Sequence, residues 1–98
     1  MLVKVHDSYR TVIAICDSNL IGKTFEEGAR EIKVNEHFFK GEEKTEAEVL
    51  DIIKMGCAED YTFNIVGDES IKVALKAGLI KPEGIVKIQG VPVALILL

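Results

Sequence analysis

At 98 residues, the chain makes one domain, 1–98, long enough to bury roughly 60–65% of the surface its unfolded form exposes, so a core can form without disulfide or metal staples. Twelve basic against sixteen acidic side chains leave a net charge of −4, which argues against salt-driven, non-specific nucleic-acid binding and leaves room only for a local basic patch. Cys16 and Cys57, outside any CxxC pairing, argue against a zinc site or a stapled secreted scaffold and for a reducing, cytoplasmic setting.

The first third of the chain reads as strands. Leu2–His6 alternates apolar and polar residues, Asp7-Ser8 offers turn chemistry, and Thr11–Cys16 is a continuous β-branched run, so the chain opens with a hairpin whose second strand is buried on both faces. After the turn Asp17-Ser18-Asn19, a weaker strand is expected over Leu20–Phe25, interrupted by Gly22. Glu26-Glu27-Gly28 turns the chain into a half-exposed strand, Glu31–Val34. The expected arrangement of these strands is an antiparallel meander. Phe38-Phe39 then lead into a charged loop, Lys40–Lys44.

Thr45-Glu46-Ala47-Glu48 has the spacing of a capping box, which starts a helix. Ala47, Leu50, Ile53 and Cys57 form its stripe, widened by Val49 and Ile52, and Gly56 is expected to weaken or stop it. Residues 57–60 are loop, and Tyr61–Val66 is an extended approach to Gly67. A second helix is expected over 68–77. Asp68 and Glu69 oppose the positive end of its dipole, Ile71, Ala74 and Leu75 share one face, and Lys72 and Lys76 share the wet one. Gly78 permits a left-handed stop, with Leu79 packing back. Pro82-Glu83-Gly84 turns into a strand at Ile85–Gln89, Gly90-Val91-Pro92 breaks it, and Val93–Leu98 closes the chain as an uncharged strand. The order of elements predicts an α+β domain, a mostly antiparallel or mixed sheet with two helices packed on one face. No run is long and apolar enough to span a bilayer. Only four residues are Asn or Gln (Asn19, Asn35, Asn64, Gln89), a shortage that points to a thermophilic source.

The stretches CDSNLIGKTFEEG (16–28), FFKGE (38–42), NIVGDESIKVALKAGLI (64–80) and GVPVA (90–94) together resemble an archaeal family of uncharacterised proteins, the domain of unknown function 424. The resemblance covers nearly the whole chain and implies a small single-domain archaeal protein without an established activity. It singles out Cys16, Asp17, Gly22, Lys23, Gly41, Asn64, Gly67, Gly90 and Pro92. Relatives tend to carry His where this chain has Val93, so no role resting on that histidine carries over.

Three groups of residues are candidates for function. Cys16-Asp17, where a buried strand meets a turn, offers a thiol and a carboxylate. However, a neighbouring carboxylate disfavours the thiolate, and a core cysteine beside a turn-capping aspartate is the preferred reading. The Gly67 junction offers backbone N–H groups to an anion, with Asn64 beside it. Asp68 and Glu69 would repel that anion, so a glycine required by chain geometry, with Asn64 capping the junction, is preferred. Lys23, Arg30, Lys33, Phe38, Phe39 and Lys40 mix basic and aromatic residues as single-stranded RNA sites do, although neighbouring glutamates dilute the charge and one or both Phe residues read as core. His6 and His37 read as strand and loop histidines.

No metal or cofactor is assigned. The expected function is a small non-catalytic cytoplasmic binding module, engaging RNA or a protein of the translation apparatus. The alternative is a small enzyme or small-ligand protein using a cleft between Cys16-Asp17 and Asn64–Gly67. The uncharged strand Val93–Leu98 should be central or covered by another subunit, and a homodimer through it is expected.

Overall fold

The computed structural model describes residues 1–96. Eight strands and three helices follow in the order β1 (Leu2–His6), β2 (Val12–Cys16), β3 (Thr24–Glu27), β4 (Arg30–Lys33), α1 (Glu36–Phe39), β5 (Glu42–Glu43), α2 (Glu46–Ala58), β6 (Thr62–Val66), α3 (Asp68–Lys76), β7 (Val86–Ile88) and β8 (Val91–Ile96). Six strands form a mixed sheet in the order β5-β1-β2-β6-β8-β7, and β3 and β4 form a separate two-stranded ribbon. The fold is α+β, as expected.

β2 and β6 are the centre of the sheet and run parallel, with Ile13 beside Phe63 and Ile15 beside Ile65. A parallel pair needs a crossover, and residues 17–61 supply it. On one face Ile13, Ile15, Phe63 and Ile65 pack against Val49 and Ile53 of α2 and Ile71, Val73 and Ala74 of α3. On the other, Ala14, Cys16, Val66 and Val93 pack under Val34, Phe39 and the partly buried Phe25 and Ile32. Both long helices therefore lie on one face, and the ribbon with α1 covers the other. β2 is buried on both sides, as its uninterrupted β-branched run requires.

The helix ends follow their local chemistry. Thr45 Oγ1 accepts from the Glu48 N–H at 3.2 Å while Glu48 Oε1 accepts from the Thr45 N–H at 2.9 Å, the expected reciprocal cap of α2. At the end of α3 the Gly78 N–H donates to the Leu75 carbonyl and the Leu79 N–H to the Ala74 carbonyl, each at 3.0 Å, with Gly78 at φ +76°. That is the paired-bond stop a left-handed glycine allows.

Several local expectations are corrected by tertiary contacts. The first third is not a meander: β2 pairs with β1 and β6, while β3 and β4 pair only with each other. Residues 18–20 form a short 3-10 turn and the strand starts at Thr24, past Gly22 at φ +83°. Gly56 does not stop α2. A Cβ there would meet the Phe63 ring at 2.6 Å and Ile13 Cδ1 at 3.0 Å, so this glycine lets the helix close on the sheet and Cys57 stays helical. The buried stripe is accordingly Val49, Ile53 and Gly56, with Leu50, Ile52 and Cys57 flanking it and Ala47 exposed.

Val91 and Pro92 belong to β8, and the break falls one step earlier, at Gln89-Gly90, where φ is +51° and +79°. This is the two-residue hairpin turn with both positions left-handed. Pro92 fits a central strand because its carbonyl accepts from the Gly67 N–H while the Gly67 carbonyl is taken by the first helical bond, from the Ile71 N–H. No ladder bond is lost to the missing N–H. β8 lies between β6 and β7, one of the two arrangements its apolar sequence allowed; β6 pairs with Val93–Ile96, whereas β7 pairs only with Val91–Val93. Leu97 and Leu98, the last residues of the expected strand, lie outside the described residues.

Candidate functional site

The carboxyl ends of β2 and β6 bring Asp17 onto the start of α3. Asp17 is 6% exposed. Its Oδ1 accepts from the Ser70 N–H and the Ser70 hydroxyl, both at 2.8 Å, and its Oδ2 from the Glu69 N–H at 3.1 Å. These are the N–H groups that a capping side chain normally serves from the residue before a helix. That residue here is Gly67, which has no side chain, so the cap is supplied across the sheet from fifty residues away. Negative charge at this helix end is also favoured by the dipole.

Gly67 is the condition for this arrangement. Its φ is +112°, and a Cβ would run into the Asp17 carboxyl group, with both oxygens at 2.6 Å. The expected reason for this glycine, chain geometry, is therefore correct and has a second part: the backbone must be bare for the carboxylate to reach the helix. Asn64 does not cap the junction. It stands beside Ala14 and Leu95 in the ladder, on the face opposite α2 and α3, and α3 receives no cap from its own preceding residue. Ser70 is the member that the sequence reading missed. The available signal is its place on the apolar stripe, three and four residues ahead of Val73 and Ala74.

Cys16 is fully buried in the core beneath Val34 and Phe39. Burial first, and the Asp17 carboxylate second, push its thiol up to about 11, so at neutral pH it is a packed thiol rather than a nucleophile. Beside the junction Ser18 Oγ lies 2.7 Å from both oxygens of Glu43, and the amino group of Met1 lies 3.3 Å from one of them. The Ser18 hydrogen bond leads in holding the Glu43 carboxyl below its ordinary range. Asp17, Glu43, Asp68 and Glu69 line this corner, which repels an anion. Cys16, Asp17 and Gly67 thus come together as a structural joint.

The aromatic and basic group is taken apart. Phe39 is 3% exposed and belongs to the core. Phe38 stacks on His6 with ring centroids 4.4 Å apart, and meets Phe39 edge-on at 5.0 Å. The His6 ring nitrogen Nε2 is 2.8 Å from the Phe38 carbonyl, and Lys4 Nζ donates to the His37 carbonyl at 2.6 Å. Cationic and imidazole groups from β1 thereby hold the last carbonyls of α1, the short helix that includes His37. Lys23 and Lys40 are exposed, with Lys40 near Glu36 at 3.9 Å. Phe39 is thus closed to a base, and Phe38, partly buried, already stacks on His6.

An apolar feature lies elsewhere, where the sequence reading places only the dimer strand Val93–Leu98 and, in Arg30, a member of the basic group. A cleft of about 500 Å³ runs between β4 and the β7–β8 hairpin, lined by Arg30, Ile32, Val86, Ile88, Val93 and Leu95 among others. Leu95 is 68% exposed and Val86 39%, although both sit on strands. Val93 is part of this lining. Among the described residues no cluster of three His, Cys, Asp or Glu is placed to hold a metal, and no helix is long and apolar enough to cross a membrane.

Residues 6–98 match the model of a family described as a protein of unknown function (DUF424). The chain is also similar to a solved structure, an uncharacterised conserved protein from the archaeon Methanopyrus kandleri. Identity is 26%, the TM-score is 0.84, and the match covers 98% of this chain and 90% of that one. No curated protein matches the chain significantly.

Proposed function

We propose that this chain, which belongs to the DUF424 family of proteins of unknown function, works as a small non-catalytic binding module, and that its partner is a protein. The observation that carries this reading is the cleft beside β8, where Leu95 and Val86 stay exposed side by side with other apolar lining residues. Exposed apolar surface of this kind, rimmed by charged residues such as Arg30 and Glu31, marks interaction sites. The alternative, an enzyme or small-ligand protein centred on Cys16-Asp17 and Asn64–Gly67, loses support because the Asp17 carboxylate already occupies the helix end and Cys16 is packed as a thiol. RNA loses support from the net charge of −4 and from the engagement of Phe38 and Phe39 within the fold. A protein of the translation apparatus stays within the proposal, as does a cytoplasmic setting, which the two free thiols favour.

Capture from a native archaeal extract, with and without nuclease, tests this. A protein retained after nuclease by the native chain and lost with Leu95→Lys supports the reading. Retention that nuclease abolishes transfers the proposal to RNA. Sedimentation at high micromolar concentration addresses the remaining partner, a second copy: a dimer broken by Leu95→Lys would make the cleft a self-contact, and a monomer removes the homodimer.

A further inference from the structure

The β3–β4 ribbon is fastened differently at its two ends. At its base the Gly22 N–H donates to the Val34 carbonyl at 2.7 Å and the Val34 N–H to the Lys23 carbonyl at 2.9 Å, and the Val34 side chain is fully buried. Near its tip the polar contacts go to one residue of the β7–β8 turn: the Glu26 N–H donates to Gln89 Oε1 at 3.1 Å, and the Gln89 N–H donates to Glu27 Oε1 at 2.7 Å. Between the ends only Phe25 and Ile32 are partly buried, and the other strand residues are exposed.

Two features weaken the ribbon itself. A two-stranded ribbon is marginally stable alone, and Glu26 stands directly opposite Glu31, a like-charge pairing that works against the ladder. Gln89, the residue that holds the tip, keeps a left-handed φ of +51°, uncommon for a side chain other than glycine. β4 forms one wall of the apolar cleft whose floor includes Val86, Val93 and Leu95.

We infer that the β3–β4 ribbon is a hinged flap, anchored at Val34 and latched at its tip by the reciprocal Glu26/Glu27–Gln89 contacts, and that releasing the latch uncovers the floor of the cleft. Segments with few buried apolar contacts and exposed backbone bonds open separately from the core, and this segment has both properties while β2 and β6 have neither. The inference rests on the binding-module reading only for its purpose, as the route by which a partner reaches the floor; the motion belongs to the isolated protein.

Hydrogen exchange followed by mass spectrometry on the full chain at neutral pH tests it. Peptides covering 24–33 are expected to exchange through an opening at least about 100-fold more populated than the one releasing 12–16 and 62–66, since the latter open only with the whole domain. Glu27→Ala is expected to raise exchange in 24–33 by about tenfold and leave the central strands unchanged, the loss of one hydrogen bond to a charged group. Gln89→Gly, which relieves the left-handed residue while removing the acceptor for Glu26, provides a second variant and is expected to raise exchange in the same segment. Equal protection of the ribbon and the central strands overturns the flap, as does a Glu27→Ala effect spread evenly over both. A partner captured by a protein whose ribbon opens only globally also overturns the flap while the binding reading stands. Local opening without any captured partner supports the flap and removes the binding reading.

Discussion

The Asp17–α3 joint and the β4–β8 cleft sit on the same sheet and solve opposite problems. At the joint two orphan N–H groups and a hydroxyl meet one carboxylate, and a glycine leaves the room. At the cleft two large aliphatic side chains stay exposed, two carboxylates oppose each other across a ribbon, and a non-glycine residue holds a left-handed turn. The first pattern is what stability selects. The second spends stability where no internal contact needs it, which is why the cleft, and not the chemically richer joint, carries the functional proposal.

The joint is most vulnerable at Gly67. Gly67→Val places a β-branched residue at positive φ and drives its Cβ into the Asp17 carboxyl group, costing about 3 kcal/mol or more. Thermal unfolding should show Tm lower by roughly 12–24 °C, at about 4–8 °C per kcal/mol for a domain of this size. If the joint were a ligand site with slack, Gly67→Ala would be tolerated; here it should cost nearly as much. In the Asp17→Ala background the cost of Gly67→Ala should fall, since the clash has gone and only the backbone strain is left, and that non-additivity is the signature of direct contact.

Asp17→Ala by itself should cost about 2–3 kcal/mol, measured by urea unfolding, because it strands two helix N–H groups and the Ser70 hydroxyl. Ser70→Ala removes one of the three bonds and should cost less. A protein unaffected by Asp17→Ala would show that the joint is not what holds α3 to the sheet.

Cys16 links the joint to pH. Its thiol titrates near 9.0 when unconstrained and at about 11 in the fold. Between those values the unfolded chain has lost its proton and the folded one has kept it, so stability present below pH 9 is lost as pH rises toward 11, on the order of 2 kcal/mol. In Cys16→Ala, which is less stable at every pH because of the cavity it leaves, this part of the alkaline slope should disappear. At neutral pH in the folded protein, iodoacetamide should modify the half-buried Cys57 before Cys16; rapid alkylation of Cys16 would revive a reactive thiol.

The smallest stability effects belong to the cleft. Leu95→Lys should change stability by no more than about 0.5 kcal/mol, as exposed substitutions do, while abolishing partner capture. Glu31→Thr should raise Tm slightly. The hydrogen bond with Glu31, ahead of its charge, raises the Glu26 carboxyl above its ordinary 4.5, so the ribbon is less disfavoured when that proton is bound and loses stability as pH rises through the raised value. Removing Glu31 should flatten that dependence, seen in the exchange of peptides 24–33 between pH 4 and pH 7. A ribbon stabilised by Leu95→Lys, or weakened by Glu31→Thr, would invert the comparison.

Local chemistry was sufficient for much of the architecture. Thr45 and Glu48 specify the start of α2, and Gly78 with Leu79 the end of α3, because the groups that satisfy one another lie within five residues. The apolar run of β2 announced burial on both faces, and the α+β class followed from the order of elements. What the tertiary structure alone decided was every partnership across long separations: β2 beside β6 rather than β3, Gly56 as a place of close approach rather than a helix stop, Pro92 inside a central strand, and Asp17 serving Ser70. In each of these the residue type allowed at least two roles, and the choice was made by which backbone or side-chain group arrived opposite it. The cleft shows the same limit. Val86 and Leu95 each read as ordinary strand residues, and their shared exposure exists only because the ribbon comes to rest over β7 and β8 and leaves that floor incompletely covered.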